Sequence, residues 1–121
     1  MIQLKRAYEA PAAGDGARVL IERLWPRGIK KTDLPLAAWI KEAAPSTELR
    51  QWFSHDPAKW AEFQRRYAAE LRTREPQLGP LLTAARHGTL TLIFSSHDTE
   101  HNNAVVLKQY LEAKLKKGMA A

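Results

Sequence analysis

"RVLIERLWPRGIKK", residues 18–31, begins as a strand and then stops behaving like one. Val19, Leu20 and Ile21 are consecutive branched apolar residues, the pattern of a strand covered on both faces, and they predict a strand over residues 18–25. Glu22, Arg23, Trp25, Pro26 and Arg27 follow at once. A core strand has no use for two guanidinium groups flanking an indole, so these residues point to a site beyond the strand. "TLTLIF" (89–94) has the same buried character, opened by Gly88 and closed by the polar run "SSHDTEHNN". "IQLK" (2–5) alternates, with Ile2 and Leu4 on one face, and Gly14-Asp15-Gly16 is a turn before the second strand.

The chain between the second and third strands reads as helical. A connection of about 55 residues suits a crossover, so those two strands are expected to be parallel neighbours. "LPLAAWIKEA" (34–43) places Leu36, Trp39, Ile40 and Ala43 on one helical stripe, with Pro45 ending it. Ser46 is an N-cap for "TELRQWF". Asp56 and Pro57 open the clearest helix, in which Trp60, Phe63, Tyr67 and Leu71 recur at 3.6-residue spacing and read as core. "PQLGPLLTAARHG" is a further helix stopped by Gly88, and the last helix is expected from about Thr99 to Lys117. The fold class is therefore α/β: a small layered fold with a short, mainly parallel three-stranded sheet flanked by about five helices. One domain is expected over residues 1–118, with 119–121 as a short tail.

Composition narrows the function classes. The chain has 121 residues, 45% hydrophobic and 26% charged, and no cysteine. That excludes disulfides, thiolate nucleophiles and Cys-ligated zinc, and it fits a reducing compartment. "MIQLKRAYEA" has no continuous apolar core, so it is not read as a signal peptide, and no run approaches a membrane span. A cytoplasmic location is the expectation. The net charge of +6 is interspersed: Arg65, Arg66, Arg72 and Arg74 alternate with Glu62, Glu70 and Glu75. Such a pattern is a solvated surface, and nucleic acid is not the expected partner.

In open parallel sheets, ligands bind beyond the carboxyl ends of the strands. Applied here, that rule gathers Arg6 and Tyr8 after the first strand and Arg23, Trp25 and Arg27 after the second. After the third come Ser95, Ser96, His97, Asp98, Thr99, Glu100, His101, Asn102 and Asn103. Guanidinium groups bind carboxylate or phosphate in a bidentate fork, and the helix expected from about Thr99 adds N–H donors. The expected partner is a small anionic ligand, with Asp98, His97 and His101 as candidates for proton transfer. His97 and His101 are four apart but lack the full His-Glu-x-x-His arrangement, so no metal site is expected. No cofactor is indicated, and nothing speaks to oligomeric state. The structural alternatives are that Arg23 pairs with Glu22 or Asp98, that Trp25 closes the core and that Asp98 is an N-cap. His55, in a helix–helix turn, is read as a surface structural residue.

With "KRAYE", "RVLIERLWPRGIKK", "APSTELRQWFSHDPAKWAEFQRRYAAEL" and "TLTLIFSSHDTEHNNAVVLKQYL" in order, the chain resembles the YeaO-like branch of the domain of unknown function 488 family over nearly its whole length. The resemblance implies a small α/β domain with a short, largely parallel sheet. The wider family often carries a Cys-His-Arg triplet at the start of the last helix, where this chain has Asn102, Asn103 and Ala104. Thiol or metal chemistry through that triplet is therefore not carried over. Three functions compete: a small enzyme or enzyme-derived sensor for an anionic metabolite, an interaction or stability module without catalysis, and a weak nucleic-acid binder.

Overall fold

The apolar run Leu90–Phe94 is buried at all five positions, and it forms the inner strand that organises the sheet. The computed structural model describes residues 1–120, with side chains to residue 117. Four strands, β1 (Ile2–Arg6), β2 (Ala17–Leu20), β3 (Ala38–Trp39) and β4 (Leu90–Phe94), make one sheet of order β1-β4-β2-β3. Every pairing is parallel, with Ile2 opposite Leu90 on one side of β4 and Ala17 opposite Leu90 on the other. The expected parallel neighbours, the second and third strands of the sequence reading, lie side by side as β2 and β4. Gly16 fits where no other residue would. Its φ is +62°, and a Cβ there would collide with the carbonyl oxygen of Thr89, to which Ala17 N–H donates.

Two expectations are corrected. Residues 34–43 are not a helix. Ala38 and Trp39 pair with Val19 and Leu20 as the edge strand β3, bracketed by hydrogen bonds from Ala37 N–H to the Arg18 carbonyl and Ile40 N–H to the Leu20 carbonyl. The side chains follow a period of two: Ala38 and Ile40 pack on one core cluster and Trp39 on the other. The sheet thus has four strands, not three. The second strand also ends early, at Leu20 instead of residue 25. Ile21 N–H still reaches the Ile93 carbonyl at 3.2 Å, after which the chain leaves the sheet.

Four α-helices are present among the described residues: α1 (Thr47–Phe53), α2 (Trp60–Arg72), α3 (Glu75–His87) and α4 (Asn103–Ala120). Ser46 caps α1 by accepting from Leu49 N–H at 3.1 Å, and Asp56 accepts from Ala58 N–H at 3.0 Å in the turn before α2. The helices cover one face of the sheet, where Val19, Leu92 and Phe94 meet Phe63, Tyr67, Leu71, Leu107 and Leu111. On the opposite face Leu20 and Ile93 meet Leu34, Trp25, Leu36 and Trp39, so the segment after β2 serves as its cover. Both faces of β2 and β4 are buried, as their unbroken apolar runs require. No helix of the described residues is long and apolar enough to cross a membrane. The last helix begins at Asn103 rather than about Thr99, and it continues through Ala120, taking in two residues of the expected tail; Ala121 lies outside the described residues.

Candidate functional site

The three loops that leave the carboxyl edge of the sheet are tied together by side chains. Arg6, at the end of β1, donates from Nε to the Ser96 carbonyl at 2.8 Å and lies 3.3 Å from His97 Nδ1. Its guanidinium sits 5.0 Å from the Tyr8 ring centre, and the Tyr8 hydroxyl donates to the Arg27 carbonyl at 2.9 Å. After β2, the Glu22 carboxylate accepts from both the backbone N–H (2.8 Å) and the hydroxyl of Ser95, 73 positions away. Asn103, buried at the start of α4, donates to the Ile21 carbonyl at 2.8 Å. Residues that the sequence keeps far apart therefore form one hydrogen-bonded rim.

A cavity of about 720 Å³ opens inside that rim, within the range of small-molecule sites. Tyr8 lines it from the β1 loop, and Arg23, Trp25 and Arg27 from the β2 loop. Ser95, Ser96, His97, Asp98 and Asn102 line it from the β4 loop. Two residues expected at the site stand outside the wall. Arg6 acts as a brace beneath the loop. His101 holds Asp98 Oδ2 through Nδ1 at 2.9 Å and packs edge-on against Trp60 at 5.2 Å. Asn103 lines it too, and the cavity also contains residues the sequence does not point to: Glu22 and, from the helical crossover, Arg50, His55, Phe53 and Phe63. Glu22 was visible beside Arg23 but read as a structural partner. Arg50 and His55 carry no local signal, because only the path of the crossover brings α1 over the sheet edge.

The charges divide into two groups. The Arg23 guanidinium is half-buried and donates from Nε to the Pro45 carbonyl at 2.9 Å. Arg27 and Arg50 are exposed, and among the described residues neither guanidinium has a hydrogen-bond or ion-pair partner. Asp98, by contrast, is fully engaged. Its carboxyl is held below the usual carboxylate range, first by the Glu100 N–H, then by the His101 N–H, with the His101 ring adding to both. These bonds shape the turn that delays the start of α4, and Asn102 caps the helix by accepting from Val105 N–H at 3.1 Å. Below the cavity, burial and then the Glu22 charge push the Tyr67 phenol well above its ordinary pKa, and Tyr67 donates to the Ala43 carbonyl.

Backbone strain is concentrated at one corner of the rim. Ser54 and His55 are consecutive non-glycine residues with φ of +46° and +56°. A left-handed residue other than glycine costs roughly 1–2 kcal/mol. Replacing Ser54 by glycine is expected to stabilise the fold by about 1 kcal/mol in chemical denaturation. An unchanged or lowered stability would show that the turn stores no strain.

A family model described as the inactive DUF488-N3 subclade matches residues 1–121. The chain is 46% identical over 112 residues to YeaO of Escherichia coli, covering 93% of this chain and 97% of that protein. It is 35% identical over 113 residues to the Mycobacterium tuberculosis protein Rv3073c, covering 93% and 95% respectively. The chain belongs to the DUF488 family. No solved structure matches it. Asn102 and Asn103, with Ala104, are the positions at which the resemblance leads one to expect the Cys-His-Arg triplet. Both asparagines are buried with their side-chain amides committed to the Asp98 and Ile21 carbonyls, so they join loops rather than present reactive groups.

Proposed function

We propose that this domain binds a small phosphate- or carboxylate-bearing ligand at the carboxyl edge of its sheet, without transforming it. The observation that carries the reading is the single cavity that Arg23, Arg27 and Arg50 line together with the Ser95–Asp98 loop. Arg27 and Arg50, whose guanidinium groups have no partner among the described residues, are natural counter-charges of such a ligand, and Arg23 keeps donors beyond its one bond to Pro45. Binding without catalysis is supported by three features. The chain has no cysteine, Asp98 spends its oxygens on a turn, and His101 is turned toward Asp98 and Trp60. The matching subclade, described as inactive, agrees with that view. A nucleic-acid role has less support: on α2, Glu62 holds both Arg65 and Arg66, leaving a balanced surface instead of a basic stripe.

Melting curves with and without inorganic phosphate, at ionic strength matched with chloride, test the reading. Phosphate is expected to raise the melting temperature of the wild type. A charged hydrogen bond contributes roughly 1.5–3 kcal/mol, so Arg23→Ala should weaken phosphate about ten- to a hundredfold. Arg23→Ala should also lower the melting point in plain buffer, because Arg23 supports the Pro45 carbonyl. Arg27→Ala should weaken phosphate alone. A wild type indifferent to phosphate would remove the proposal.

A further inference from the structure

Glu22 is a carboxylate of the cavity that an anion site alone does not use and that, unlike Asp98, is not fully bonded within the fold. Its carboxylate borders the same space as Arg23, Arg27 and Arg50, and one of its oxygens, Oε1, takes both bonds from Ser95. Among the described residues Oε2 has no hydrogen-bond or ion-pair partner. The backbone carbonyl of Glu22 accepts from Trp39 Nε1 at 2.6 Å, so the residue is fixed at both ends, with one carboxylate oxygen left over. The neighbouring Asn103 amide nitrogen is spent on the Ile21 carbonyl. A site meant only for anions would do better with a neutral side chain here, since a half-buried carboxylate repels the ligand that the arginines attract.

We propose that the ligand is zwitterionic, with its phosphate or carboxylate facing the arginines and an ammonium group donating to Glu22 Oε2. This rests on the anion-binding reading above and adds the second recognition point. Both charge types border the cavity from one short segment, residues 22–27. Glu22 is anchored inward to the β4 loop by Ser95, while Arg27 is exposed and Arg23 is directed toward Pro45. A ligand with separated charges satisfies both groups at once, whereas a simple anion leaves Glu22 desolvated and unpaired. The apolar lining from Phe53, Phe63 and Pro45 suits the short carbon linker between its charged ends.

Calorimetric titration with three probes decides it: O-phosphoethanolamine, ethyl phosphate of matched size and anion, and inorganic phosphate. The wild type should bind O-phosphoethanolamine at least about tenfold more tightly than ethyl phosphate, the yield of one charge-assisted hydrogen bond. Glu22→Gln keeps an oxygen for Ser95 and should erase the preference while leaving ethyl phosphate binding unchanged or tighter. Equal binding of the two esters by the wild type overturns the ammonium subsite and leaves the anion site standing. A preference that survives in Glu22→Gln assigns it to another group and also overturns the proposal. Failure of all three probes to bind removes the anion site itself, and this inference with it. The wild-type comparison does not depend on the variant folding.

Discussion

Asp15→Ala, which removes a buried charge, is expected to lower the melting temperature by on the order of 10 °C. Asp15 is buried in the turn before β2, where its carboxylate meets Lys5 Nζ at 3.1 Å and Arg18 NH1 at 2.5 Å. It also accepts from the Ala12 N–H at 3.0 Å, and its own backbone carbonyl takes the Thr91 hydroxyl. Arg18 is 7% exposed, bonded through Nε to the Pro35 carbonyl, and its NH2 has no partner. Removing Asp15 strands that guanidinium without its counter-charge, and a buried charge left unpaired is among the most costly defects a core can carry. Adding Arg18→Met to Asp15→Ala should recover part of the loss. A double variant no more stable than the single one would show that the carboxylate's bonds to Ala12, rather than the stranded charge, set the effect.

The same residue gives a pH signature. The Asp15 carboxyl is held below its ordinary value of 3.8, chiefly by the Ala12 N–H, with Lys5 and Arg18 adding to it against the opposing effect of burial. A carboxyl whose folded pKa is depressed stabilises the fold fully above the unfolded value and loses that contribution as pH falls through the folded one. The gap in melting temperature between wild type and Asp15→Ala should therefore be widest near neutrality and shrink as pH drops below about 4. A gap independent of pH down to strong acid would remove the ionised carboxylate from the explanation.

Phe63→Ala should cost about 3–5 kcal/mol in denaturant unfolding. Phe63 is 2% exposed, stacked on Phe53 at 4.2 Å between ring centres and in contact with Trp60 and Tyr67 at 5.7 Å each. Few side chains near it can move to fill the space, because Tyr67 is pinned by its bond to Ala43. Phe63 also forms part of the wall of the cavity at the sheet edge, so its loss joins the new void to that space. Phosphate protection should survive in the variant, since the three arginines lie on other elements. A cost below about 1 kcal/mol would contradict the packing described.

What the sequence determined by itself was whatever depends on local pattern. The apolar runs at 19–21 and 90–94 announced strands buried on both faces. Ser46, Asp56 and Pro57 announced helix starts, and the Trp60–Leu71 stripe announced the helix that carries the core. From these followed the parallel pairing of β2 with β4 and the gathering of Arg23, Arg27 and the Ser95–Asp98 loop at one edge. Tertiary structure decided what depends on partners distant in the chain. Residues 36–43 fit a helical stripe equally well, and only hydrogen bonds to Arg18 and Leu20 turned 38–39 into a strand. Asp98 and His101 are proton-transfer candidates by residue type, and only the folded turn shows their side chains bonded to each other. Arg50 and His55 entered the cavity because α1 crosses above the sheet edge, and Glu22 borders it with one oxygen fixed by Ser95 and, among the described residues, the other unpartnered. Local propensity is written in neighbouring residues, whereas a site is made of side chains whose neighbours are set by the packing of the whole core.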